Sequence, residues 1–137
     1  MKIENVGKTN EEISKVVESE FNKYAEESGV TGADDTFAFV AKDKEEVIGV
    51  IAGYLRYDEV HIGTLVVKEQ YRKDGIGSKL MKELEDFIDG KGFEKMTVDT
   101  YAFQAPEFYE RFGFKVECIR EGRANPKLTK YFFIKYL

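Results

Sequence analysis

The sequence of 137 residues has no tryptophan, one cysteine (Cys118), one histidine (His61) and two prolines, Pro106 and Pro126. One cysteine cannot close an internal disulfide, and one cysteine with one histidine cannot form a Cys/His zinc site, so no disulfide framework and no metal is expected. No run approaches the roughly 20 apolar residues of a membrane span. The opening MKIENVGKTNEEISK also lacks the apolar centre of a signal peptide. The expectation is therefore a cytoplasmic chain with no membrane partner. Positive charge is not in excess: 21 Lys+Arg stand against 26 Asp+Glu, a net charge of -5. That balance speaks against a nucleic-acid partner, which needs clustered basic residues. There is no Pro/Ser/Gly-rich linker and no internal repeat. What is present is 42% hydrophobic residues and mixed charge in a length that closes around one core, so one domain over residues 1–137 is expected.

The segments alternate in type. Lys2 to Val6 reads as a short opening strand. Thr9-Asn10-Glu11-Glu12 reads as a capping box, with Thr9 as N-cap and Glu12 three residues on. Ile13, Val16, Val17, Phe21, Tyr24 and Ala25 then share one helical face, and Gly29 is a suitable stop. Three β-rich runs follow with short connections: Thr36 to Ala41, Val47 to Tyr57 and Val60 to Lys68, the pattern of an antiparallel meander. Ile76, Leu80, Met81, Leu84, Phe87 and Ile88 carry helical spacing up to Gly90. Lys95 to Thr100 is a strand. Pro106 opens a short helix that ends at Gly113, with Phe108 and Phe112 as its core aromatics. Phe114 to Glu121 and Leu128 to Leu137 form a last strand pair, in which Cys118 is expected to be a small buried hydrophobe. The terminal run Tyr131 to Leu137 is apolar on both faces and needs cover from its own fold or from a second copy, so a homodimer is a candidate assembly. Together these give an α/β (α+β) domain around a mixed, mostly antiparallel twisted sheet of six to seven strands flanked by helices.

The chemistry concentrates where the strand ending Leu65-Val66-Val67 runs into a glycine loop, and the loop runs directly into a helix. A helix N-terminus entered this way presents unpaired N–H groups and the positive end of its dipole, which suits a phosphate or pyrophosphate. Gly75 and Gly77 allow close approach to the backbone. From Lys68 to Lys82 five basic and two acidic residues give +3, leaving -8 for the remainder. Neither common phosphate motif fits: G-x-G-x-x-G would need glycine in place of Leu80, and G-x-x-x-x-G-K-[ST] is absent. What stands there is Arg72-x-x-Gly75-x-Gly77, for which alone a plain glycine turn would be explanation enough.

The loop does not stand alone. Some thirty residues later comes Ala105-Pro106-Glu107-Phe108-Tyr109-Glu110-Arg111-Phe112-Gly113-Phe114. The pair resembles the GCN5-related N-acetyltransferase (GNAT) superfamily, whose cofactor loop reads [QR]-x-x-G-x-[GA] and whose later helix ends in Phe-Tyr-x-x-x-Gly-Phe. The order of elements along essentially the whole chain is similar as well. The resemblance implies a direct transfer of an acetyl group from acetyl-CoA to a primary amine, carried by a small molecule or by a protein or peptide. The alternative is an acyl-CoA-binding sensor of the same fold without turnover.

By position, the resemblance implies that the backbone of Arg72, Lys73, Asp74, Gly75, Ile76, Gly77 and Ser78 holds the pyrophosphate. Leu65, Val66 and Val67 would pair with the pantetheine arm where their strand splays from the next, with an amide near Val66 polarising the thioester. Tyr109 takes the place of the proton donor to the departing sulfur. For the base that relieves the amine of a proton, Glu59 and His61 precede the loop on the same strand, and a water chain is the third option. Relatives often carry an Asn seven residues before the Tyr. Here that position is Ala102, and Gln104 is the candidate to replace it.

Overall fold

A computed structural model describes residues 1–137, which form two compact units, residues 1–32 and 33–137. In the first unit the expected opening strand does not form. Within residues 1–32 no other strand offers it a ladder; its backbone instead turns, with Gly7 N–H donating to Asn5 Oδ1 at 2.8 Å and Lys8 N–H to the Val6 carbonyl at 2.9 Å. Helix α1 (Glu11–Glu27) starts one residue later than a Thr9 cap would require. Asn10 takes that role in extended conformation, its side chain accepting from Ile13 N–H at 2.9 Å, because Asn caps as well as Thr and stands one step closer. Gly29 follows in the left-handed region at φ 67°.

The second unit is a six-stranded sheet with two helices. Its strands are β1 (Ala33–Asp43), β2 (Glu46–Tyr57), β3 (Glu59–Val67), β4 (Lys95–Tyr101), β5 (Lys115–Arg120) and β6 (Lys130–Tyr136), in the order β1-β2-β3-β4-β6-β5. Every neighbouring pair is antiparallel except β3 and β4. Helix α2 (Ile76–Ile88) makes the crossover that a parallel pair requires. Its Leu80, Met81, Leu84 and Ile88 are buried and join Ile51, Val60, Ile62, Met96, Val98 and Phe133 in one core. Each such side chain contributes about 1.5–3 kcal/mol by leaving water. No helix is long and apolar enough to cross a membrane.

Strand alternation sorts β3 and β4 into two faces. Val60, Ile62, Met96, Val98 and Thr100 are buried, whereas Glu59, His61, Thr97 and Asp99 are only half-buried on the other face. The terminal run expected to need cover lies between β4 and β5 as β6, with Phe133 in the core. Cys118 departs from its expected burial. It is exposed because β5 is the sheet's edge and all six of its residues face solvent.

Candidate active site

Two features of β3 make the site. Its register with β2 slips at Ala52/Gly53, so that Ile62 pairs with Gly53 and Thr64 with Ala52, leaving Gly63 as an extra residue, a bulge. The partner must be glycine: a Cβ on Gly53 would lie 1.8 Å from the His61 carbonyl oxygen. Beyond the bulge β3 leaves β4. The parallel ladder runs only from Glu59–Lys95 to Ile62–Val98, after which the strands splay.

The splay opens a cavity of about 880 Å³. It is lined by Leu65, Val66, Val67, Arg72, Lys73, Gly75, Ile76, Gly77, Ser78, Gln104 and Tyr109, which the sequence had singled out, and not by Asp74, Glu59 or His61. The backbone sense of β3 refines one assignment. Lys68 N–H donates to the Ile48 carbonyl at 2.8 Å, so by antiparallel alternation the Val66 backbone groups also face β2, whereas those of Leu65 and Val67 face the splay. Any amide offered to a ligand on that edge therefore belongs to Leu65 or Val67 rather than Val66.

The start of the loop is anchored by two side-chain hydrogen bonds. Arg72 Nε donates to the Val67 carbonyl at 2.9 Å and Tyr71 Oη to Asp43 at 2.7 Å. Lys73 and Gly75 sit in the left-handed region at φ 72° and 76°. Gly75 caps α2 without any side-chain hydrogen bond, which leaves the first N–H groups of the helix free toward the cavity. At Gly77 a Cβ would meet the Phe108 ring at 3.3 Å, so this glycine permits α2 to pack against the short helix that carries Tyr109.

That helix is α3 (Glu107–Glu110), a single turn after Pro106. Its most buried aromatic is Tyr109 at 8% exposure, while Phe108 and Phe112, expected in the core, are only partly buried against it. The Tyr109 ring packs on Phe108, Phe114 and Phe133 with centroids 5.3 to 5.9 Å away. Burial, followed by the nearby Asp99 carboxylate, pushes the phenol up to about 12. Gln104 lines the cavity, but its carbonyl already accepts from Thr100 Oγ1 and Tyr101 N–H at 3.2 and 3.1 Å. Only its amide N–H groups are left for a ligand.

Glu59 and His61, which do not line the cavity, are joined through Thr97. His61 Nδ1 is 2.8 Å from Thr97 Oγ1, and Thr97 Oγ1 donates to Glu59 Oε2 at 3.1 Å. His61 Nε2 stands 4.0 Å from Asp99 Oδ2, and Asp99 lines the cavity. Asp99, Thr97 and Arg111, a third cavity cation whose guanidinium lies over the Phe108 ring at 5.4 Å, were not found from the sequence. The alternation of β4 would have placed Thr97 and Asp99 on one face, but only the splay puts Asp99 at the opening.

The chain is 27% identical over 100 residues to blasticidin-S acetyltransferase of Streptomyces morookaense, covering 72% of this chain and 73% of that one. It is 32% identical over 88 residues to N-alpha-acetyltransferase 30 of Schizosaccharomyces pombe, covering 57% of each. The crystal structure of an acetyltransferase from Bacillus cereus superimposes with a TM-score of 0.79 at 25% identity over 98% of both chains. The model of the acetyltransferase (GNAT) family matches residues 7–114, and the chain belongs to that family of enzymes.

Proposed function

We propose that this chain transfers an acetyl group from acetyl-CoA to a primary amine. The observation that carries the reading is the splay of β3 from β4, which joins the α2 N-terminus to Tyr109 through one cavity. The free N–H groups at Gly75 to Ser78, with Arg72, Lys73 and Arg111 beside them, suit the pyrophosphate. The Leu65 and Val67 backbone groups that face the splay, apart from the Val67 carbonyl held by Arg72, suit the amide-bearing arm, as an added strand would pair. Bound there, acetyl-CoA supplies the acetyl group as a thioester. Leu65 N–H is the donor best placed along β3 for the oxygen on which charge develops. As nitrogen bonds to carbon and the carbon–sulfur bond breaks, the nitrogen loses one proton and the sulfur gains one. Tyr109 remains a phenol at any working pH and serves the sulfur as a hydrogen-bond donor. Complete transfer from a phenol at about 12 to a thiolate whose thiol pKa is ~8.5 would cost roughly 5 kcal/mol.

The acceptor class is a primary amine. The printed names of the relatives point to a small antibiotic in one case and a protein α-amine in the other, so both belong in a screen. Saturating acetyl-CoA is expected to raise the melting temperature by several degrees, since a hundredfold excess over Kd adds about 2.7 kcal/mol to a folded state that alone binds it. An unchanged melt would refute the cofactor assignment. Release of free CoA thiol in an amine screen spanning antibiotics, polyamines and peptide N-termini then reads turnover. Binding without any thiol release would favour the acyl-CoA sensor instead.

A further inference from the structure

The last two strands are basic: from Lys115 to Leu137 six basic residues stand against two acidic ones, +4 in a chain of -5. Register puts Asp99, Phe132 and Cys118 in one cross-strand row and Tyr101, Lys130 and Arg120 in another, on a single face of β4, β6 and β5. The side chains of the two rows interleave. Lys130 Nζ is 3.3 Å from Asp99 Oδ1 and 5.4 Å from the ring centroids of both Tyr101 and Phe132, and the Arg120 guanidinium lies 4.8 Å from the Phe132 centroid. Three contacts thus link Asp99, which lines the cavity, to Arg120 on the edge strand. Phe103, exposed and stacked on Tyr101 with centroids 5.5 Å apart, flanks the same path. Two arginines on this face lie over aromatic rings, and their charge environments differ. Arg56, 4.4 Å from the Tyr54 centroid, stands in register between Asp34 and Glu59. Arg120 has Lys130 on one side and the sheet's edge on the other, and Lys130 takes the nearby carboxylate of Asp99.

We propose that Arg120 is a specificity-determining residue, which pairs with a side-chain carboxylate of a peptide acceptor whose free amino terminus lies at the cavity. The inference rests on the transferase reading above. A guanidinium held against a ring keeps its planar fork of N–H groups for an oxyanion, and it takes a carboxylate in a bidentate pair where an ammonium offers only a point charge. The residues of the path are half-buried or exposed on a sheet face. Such a surface fits an extended chain laid across it rather than a small molecule, which needs enclosure on most sides. The three contacts from Asp99 to Arg120 span a reach that three or four extended residues cover at about 3.3 Å each, so the acidic residue is the third or fourth. The acceptor's negative charge then meets the basic strand pair. Arg120 touches neither the thioester nor the reacting nitrogen, so its effect falls on the choice among acceptors.

The test uses the full chain with saturating acetyl-CoA and a set of peptide amides with a free amino terminus. Each peptide is alanine throughout except at one position, where Glu, Gln or Lys is moved from the second residue to the sixth. Release of CoA thiol gives kcat/KM for each. The wild type is expected to prefer Glu to Gln about tenfold at the third or fourth residue, the scale of one charge-assisted pair, and to disfavour Lys there. Arg120→Gln should bring the two rates together. Arg120→Glu should invert the order in favour of Lys, which neither misfolding nor a general loss of activity would do. Arg120 is exposed on β5, so both substitutions spare the core. Equal kcat/KM for Glu, Gln and Lys at every position, a Glu preference that survives in Arg120→Gln, or no turnover of any peptide would each overturn the proposal. An unchanged melt with acetyl-CoA would instead refute the transferase reading, so the two failures are told apart.

Discussion

Tyr109 occupies a position that asks two things of one side chain. Its ring belongs to the core with Phe114 and Phe133, and the residue also lines the cavity. Tyr109→Phe keeps the ring and removes the donor. It is expected to lower kcat about a hundredfold, the scale of losing one hydrogen-bond donor to charge that develops in the transition state, while acetyl-CoA affinity changes less than threefold. An unchanged kcat would remove the assigned role. The same variant has a stability signature. The folded phenol lies at about 12 against ~10 unfolded, so the neutral form is favoured by folding. That stability is complete below pH 10 and is lost as pH rises through 12, roughly 2–3 kcal/mol in all. Urea unfolding at pH 9 and at pH 11.5 should therefore show a steeper alkaline loss for wild type than for Tyr109→Phe, and equal slopes would contradict the burial of the hydroxyl.

At the scale of elements, the site depends on where β3 bends. Gly53→Ala places a Cβ 1.8 Å from the His61 carbonyl and 2.9 Å from the Phe37 ring, so β2 and β3 must separate next to the bulge. The expected cost is 3 kcal/mol or more, read as a lower urea midpoint; a loss under about 1 kcal/mol would show that the strands are not so closely held. Gly53 also marks the boundary of what periodicity reveals. Both long helices and all six strands of the sheet were legible from patterns of period 3.6 and 2 and from Gly75, Pro106 and Gly113 as punctuation. The glycine loop was legible because one continuous segment carries it. The bulge at Gly63, the outward sense of Leu65 and Val67, and the grouping of His61 with Thr97 and Asp99 arise from pairing between strands distant in sequence, to which no local pattern corresponds. The burial of Cys118 was misjudged for the same reason: an edge position is a property of the sheet order, not of β5 itself. The opening strand failed in the opposite way, since local propensity at Lys2 to Val6 found no ladder within its own unit.

For the molecule as a whole, the net charge of -5 conceals an uneven distribution, and the structure narrows which charges count. Of the five basic residues between Lys68 and Lys82, Lys68 is paired with Glu46, and Lys82 with Asp86 at 3.1 Å. The cations that line the cavity are Arg72, Lys73 and, from outside the segment, Arg111. All three are exposed, so their attraction for an anionic ligand is open to screening. Raising the ionic strength from about 0.05 M to about 0.5 M shortens the screening length from more than 10 Å to a few ångströms. Acetyl-CoA affinity, measured by calorimetry, is therefore expected to fall several-fold over that range. S-acetyl-pantetheine, which keeps the thioester and arm but lacks the phosphates, should bind more weakly and with little salt dependence. Replacing Lys73 and Arg111 together by Gln should flatten the acetyl-CoA slope toward that of the truncated ligand. If both ligands responded to salt alike, the basic rim would not be the pyrophosphate's partner, and recognition at this loop would rest on the α2 N–H groups alone.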